Sequence, residues 1–81
     1  MIQQVKNALS RVRNYRVVPL KDGHTDDAAM LGAILRDEPT SVADPGRKDF
    51  FWVLGDHTRF YVNIYDRTRT VYLVSVAHPA L

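Results

Sequence analysis

The chain has no cysteine among its 81 residues. That excludes a disulfide framework and any thiolate-held metal site. It also suits a reducing compartment, so a cytoplasmic location is the expectation. The sequence has no internal repeat and no linker, and its composition makes disorder over most of its length unexpected. No apolar run is long enough to cross a bilayer, and the opening MIQQVKNALS lacks the continuous apolar core of a signal peptide. Neither a membrane partner nor a secretory leader is therefore expected. A Gly-rich phosphate loop, paired catalytic carboxylates and a nucleophile elbow are all missing from the sequence. His24 with Asp26 and Asp27 could suggest a metal site, but the two aspartates already have a role as helix-start charges. No metal and no cofactor are expected.

Neither sign of charge dominates. Eleven Lys and Arg stand against nine Asp and Glu, giving a net charge of +2. This balance permits nucleic-acid binding without requiring it. Eight of the eleven cations are arginine, the side chain that contacts phosphate and carboxylate in a bidentate fork. Apolar residues make up 46% of the chain, enough for one globular domain over residues 1–81 but not for a large core.

Ile2, Val5, Leu9 and Val12 recur at helical spacing with polar residues between them, which predicts an amphipathic first helix. Tyr15-Arg16-Val17-Val18 is rich in strand formers and stops at Pro19, so a short extra strand or edge is expected near 15–18. Lys21-Asp22-Gly23-His24 is turn chemistry. Thr25 reads as an N-cap, and a second helix follows to about Asp37, burying Ala28, Leu31, Ile34 and Leu35. Pro39 ends it, and residues 39 to 48 read as a polar loop with a turn at Pro45-Gly46.

The last third changes character. Three runs, 50–54, 59–65 and 70–77, are rich in β-branched and aromatic residues. Gly55-Asp56 and Asp66–Arg69 punctuate them as turns. Phe60, Val62 and Ile64 alternate with Tyr61, Asn63 and Tyr65, so one face of this strand is apolar and the other amphipathic. The expected fold is α+β: two helices packed on one face of a small antiparallel sheet whose C-terminal part is a three-stranded meander.

The meander, with its Gly55-Asp56 turn, Arg59 opening a strand, an acidic hairpin turn and the finish TVYLVSVAH, resembles the C-terminal half of the RelE/ParE toxin superfamily. Its members are small toxins of bacterial toxin–antitoxin pairs; some cleave messenger RNA and others inhibit DNA gyrase. The resemblance covers mainly residues 50 to 78. It implies a module acting on RNA or on a nucleic-acid enzyme, with an antitoxin-like protein or the target as partner. Arg59 resembles the family's arginine at the head of the middle strand, which would grip a phosphate. The family's lysines on the preceding strand have no counterpart in FFWVL, where only Lys48 lies nearby, and its late arginine is replaced by His78-Pro79. These departures point to an altered or degraded active site.

Arg59 and His78 are thus the candidate catalytic residues, His78 because an imidazole titrates near neutrality. Arg67, Arg69, Lys48 and Arg13 are the candidate nucleic-acid contacts. Trp52, Tyr61, Tyr65 and Tyr72 could stack on bases, although tyrosines on an open sheet face also pair across strands. The alternative is a non-catalytic interaction module, an inhibitor or small subunit, that uses a sheet edge or an aromatic sheet face, including as a homodimer.

Overall fold

A computed structural model describes residues 4–6, 10–37 and 40–78. Among them are six strands and one α-helix: β1 (Gln4–Lys6), β2 (Arg16–Pro19), α1 (Thr25–Arg36), β3 (Thr40–Ala43), β4 (Phe50–Leu54), β5 (Arg59–Tyr65) and β6 (Thr70–Ala77). The strands form one mixed sheet in the order β1-β3-β4-β5-β6-β2. All neighbours are antiparallel except β2, which runs parallel to β6.

The expected arrangement of two helices over a small antiparallel sheet is not what forms. In the region of the first expected helix, Gln4–Lys6 is a strand paired with β3, and Ser10–Val12 is a single 3-10 turn. Ile2 and Leu9, half of the pattern that suggested a helix there, lie outside the described residues. Intrinsic helical pattern is a weak prior, and pairing along the free edge of β3 overrides it. Val12 is buried nonetheless, at 1% exposure, within the 3-10 turn. The polar loop expected over 39–48 is also corrected, because Thr40–Ala43 is a strand between β1 and β4. The turn at Pro45-Gly46 does form, with Asp44 Oδ1 accepting the Gly46 N–H at 2.9 Å. Pro39 lies outside the described residues.

The three late strands occupy the runs read from the sequence and are neighbours in the sheet. They are its central strands and not the whole of it. β4 is apolar on both faces because its two faces meet different surroundings. Val53 is buried and Phe51 packs against the core, whereas Phe50, Trp52 and Leu54 alternate onto the opposite face.

Helix α1 covers one face. Its Ala28, Leu31 and Leu35 recur at helical spacing and are buried, with Ile34 packed at the margin. His24, not Thr25, is the residue before the first turn, and its side chain makes no capping hydrogen bond. Under the helix lie Val53, Phe60, Val62, Ile64, Val71 and Leu73. Val76 joins them although it is out of phase with Val71 and Leu73. The register explains this: Tyr61 pairs with Ser75 but Val62 pairs with Leu73. Val74 is the extra residue of a β-bulge, which resets the alternation and returns Val76 to the core side.

Gly55 sits where a side chain would be crowded. A Cβ there would lie 3.3 Å from both Ile34 Cδ1 and the Thr58 carbonyl oxygen, and 3.6 Å from Phe60 Cε2. The Gly55 N–H also donates to that Thr58 carbonyl at 2.8 Å, closing the β4–β5 turn.

Candidate nucleic-acid interface

Only one face of the sheet is covered by α1. On the other face the register assembles an aromatic platform. Trp52 on β4 stands directly opposite Tyr61 on β5, with ring centroids 4.6 Å apart. Phe50 reaches the same tyrosine at 5.4 Å. Tyr65 on β5 meets Tyr72 on β6 edge to face at 5.3 Å. From Tyr61 to Tyr65 is four residues along one strand, about 13 Å at the usual rise. Trp52, Phe50 and Tyr72 are half-buried, and Tyr65 is 51% exposed.

Tyr61 differs from the others. It is buried at 8% exposure, because rings flank it and the β3–β4 loop holds its hydroxyl. That hydroxyl donates to Asp44 Oδ2. Asp44 is held below the usual carboxylate range, chiefly by this bond and then by the Gly46 N–H. Tyr61 is correspondingly raised by Asp44. From the same loop, the Arg47 guanidinium lies 3.8 Å over the Phe50 ring in a cation–π contact.

A second clamp fixes the β5–β6 turn. Arg11 Nε donates to Asp66 Oδ1 at 3.0 Å, and the Tyr15 hydroxyl donates to the same oxygen at 2.7 Å. Asp66 is lowered by Arg11 first and Tyr15 second. Both clamps are acid-labile by the same logic. A carboxylate whose folded pKa is depressed stabilises the fold above the unfolded value of about 3.9, and that contribution is lost as pH falls through the folded value. Tyr61→Phe removes the main cause of the Asp44 shift. The variant should therefore lose less melting temperature between pH 7 and pH 3 than the parent. Equal losses in thermal melts would show that the Asp44 contact contributes nothing.

The two clamps stand at one end of the sheet, and the basic residues gather there. Register places the start of β2, the loop before β4 and the β5–β6 turn together at this end. These segments and the 3-10 turn carry Arg11, Arg13, Arg16, Arg47, Lys48, Arg67 and Arg69. Their acids are Asp44, Asp49 and Asp66, two of which are engaged in the clamps. Arg69 adopts a left-handed backbone at φ 52 to complete the turn. Its N–H donates to Asp66 and its carbonyl accepts from the Arg16 N–H.

Four of the sequence-derived candidates, Arg67, Arg69, Lys48 and Arg13, belong to this basic end, and all four are exposed. Arg59 and His78 are at the opposite end. Arg59 pairs with Ala77, so His78 follows on the adjoining strand. His78 Nδ1 lies 3.4 Å from Thr58 Oγ1. Thr58 is buried and alternates with Arg59, so the two candidates are neighbours along the chain ends but stand on opposite faces of the sheet. Arg59 shares the open face with Tyr61. Among the described residues, no three His, Asp or Glu side chains come together as a metal site needs. No helix among them is long and apolar enough to cross a membrane.

Sequence reasoning missed Asp44 and Arg47 as parts of this surface. The signal was present in Asp44-Pro45-Gly46, where an aspartate two residues before a glycine favours an Asx turn. No protein-family model matches the chain, no curated protein matches it, and no solved structure matches it.

Proposed function

We propose that the protein binds single-stranded RNA on the open face of its sheet, as a RelE/ParE-like module of a toxin–antitoxin pair. The observation that carries this reading is the aromatic platform beside the arginine-rich end. Rings accept bases by stacking without regard to sequence, and aromatic rings on the four-stranded sheet of other RNA-binding modules take two or three bases. The arginines would neutralise the phosphates as the strand leaves the platform. Arg59, on the same face, is the candidate grip for a phosphate at the far end. The absence of the family's lysines from β4 and the separation of His78 from that face favour binding over efficient cleavage.

The salt dependence of binding tests the role of the basic end. Arg67→Gln with Arg69→Gln should lower the slope of log affinity against log salt by about 1.4 if each arginine neutralises one phosphate of a single strand. An unchanged slope would remove the turn from the interface. Expression of the chain alone, with growth and message integrity followed, tests the toxin reading, and unimpaired growth at high expression would count against it.

A second reading rests on the apolar members of the same face. Leu54, Val42 and Val18 share it with Phe50 and Trp52, and all are half-buried in the single chain. A partner protein or a second copy could cover them. Light scattering separates the homodimer case: a monomer over a wide concentration range excludes it.

A further inference from the structure

A second surface lies away from the aromatic face, where α1 crosses the edge of the sheet. A groove of about 390 Å³ opens between α1 and β2. Its helical side presents Ala28, Ala29 and Gly32, which leave room for another backbone to approach. Val17 and Pro19 form the strand side. Arg13, Arg16 and Arg36 also line it, and among the described residues no Asp or Glu does.

Among the described residues nothing bonds the strand edge beside the groove. Among the described residues β2 pairs only with β6. The Arg16 N–H donates to the Arg69 carbonyl at 3.0 Å, and the Leu20 N–H donates to the Leu73 carbonyl at 3.1 Å. Backbone groups alternate between the two edges of a strand. Val17 therefore directs its N–H and C=O outward. Pro19, in the same phase, offers a carbonyl but has no N–H to give. The free edge can form a short bridge but not a long ladder, because Pro19 blunts it.

We propose that this groove receives an acidic, extended segment of a partner protein, which bridges to Val17 and sets its carboxylates against Arg13, Arg16 and Arg36. Charge identifies the occupant, since three guanidiniums without a lining carboxylate favour an anionic chain. The edge makes that chain a peptide. An extended peptide answers the Val17 N–H and C=O together at strand spacing, and its slim backbone fits beside the small residues on α1. Nucleic acid finds no row of rings here: Tyr15 is the one aromatic lining residue, and it packs against the core with its hydroxyl on Asp66.

The test uses a fluorescein-labelled peptide of five Glu-Val repeats and the full chain, read by anisotropy. Saturable binding that weakens with salt is expected, and Arg13→Glu with Arg36→Glu should lower affinity at least about tenfold. Arg13→Gln with Arg36→Gln should lower it less, and circular dichroism checks that each variant is folded. The account is overturned if the peptide does not bind, if a Lys-Val repeat binds as well, or if both variants bind like the parent. Displacement of the peptide by oligouridylate would assign the groove to nucleic acid and also overturn it. Arg13 and Arg16 serve both surfaces, so the RNA reading is tested apart from the groove, through Trp52 and Tyr65 on the opposite face.

Discussion

Trp52→Ala combined with Tyr65→Ala should weaken binding of a labelled oligouridylate by at least about thirtyfold. The estimate follows from roughly 1–3 kcal/mol per stacked base removed by alanine substitution, with two rings near opposite ends of the platform. Tyr65 is 51% exposed, so its loss costs the fold little. Trp52 is half-buried against Tyr61, so some stability is lost with it, and affinity must be measured below the melting temperature of the variant. Phenylalanine at position 65 should retain most of the affinity, because it keeps the ring and loses only a hydroxyl. Should the double alanine variant bind RNA as tightly as the parent, the platform is a cross-strand packing feature and nothing more. The filter-binding or anisotropy titration that decides this needs a stated salt concentration, since the arginine-rich end contributes a separate, screened attraction.

Phe60→Ala should melt the protein far more than any surface change. Phe60 is fully buried and paired between Val53 and Val76. Truncating a buried phenylalanine costs about 3–5 kcal/mol. A domain of this length holds roughly 4–12 kcal/mol in all. The variant should therefore lose at least about 12 °C in melting temperature, at roughly 4 °C or more per kcal/mol for small domains, or be unfolded at room temperature. A melt within a few degrees of the parent would mean that α1 does not pack on β5 as described. Gly55→Ala is the milder companion: its methyl would crowd Ile34 Cδ1 and the Thr58 carbonyl oxygen and only touch the Phe60 ring.

The late strands were legible because β-branched and aromatic residues concentrate there and turn residues divide them. Alternation in Phe60–Tyr65 already separated a core face from an aromatic one. What the alternation could not give was the register. That Trp52 meets Tyr61, and Phe50 leans on it too, depends on β4 pairing with β5 at one offset. Val76 looked out of phase until the bulge at Val74 explained it. α1 was legible from the spacing of Ala28, Leu31 and Leu35. β1 and β3 were not, because both are short, three and four residues, and β1 finds its partner about 35 residues away, as Val5 and Ser41 show, where local pattern carries no information about the pairing. Thr40–Ala43 in particular is hemmed by turn-forming residues that masked its strand formers. The clamps of Asp44 on Tyr61 and of Arg11 and Tyr15 on Asp66 are also long-range, so their residues looked like ordinary loop and surface positions.

Charge placement shows the same division. The count of arginines was plain, but their gathering at one end of the sheet needed β2 to run parallel to β6, which brings Arg16 beside the Asp66–Arg69 turn. Arg59 and His78 were read as one pair. They do lie at the same sheet end, yet strand alternation sends them to different faces, which only the pairing of Arg59 with Ala77 and the contact of His78 with Thr58 reveal.

The chain contains a single tryptophan, and it stands in the middle of the open face. Titrating the protein with oligouridylate and following Trp52 fluorescence therefore reads the proposed interface directly. Saturable quenching that tracks the anisotropy of labelled RNA is the expected result. RNA binding that leaves Trp52 emission unchanged, or no binding at low salt, would contradict the placement of RNA on this face.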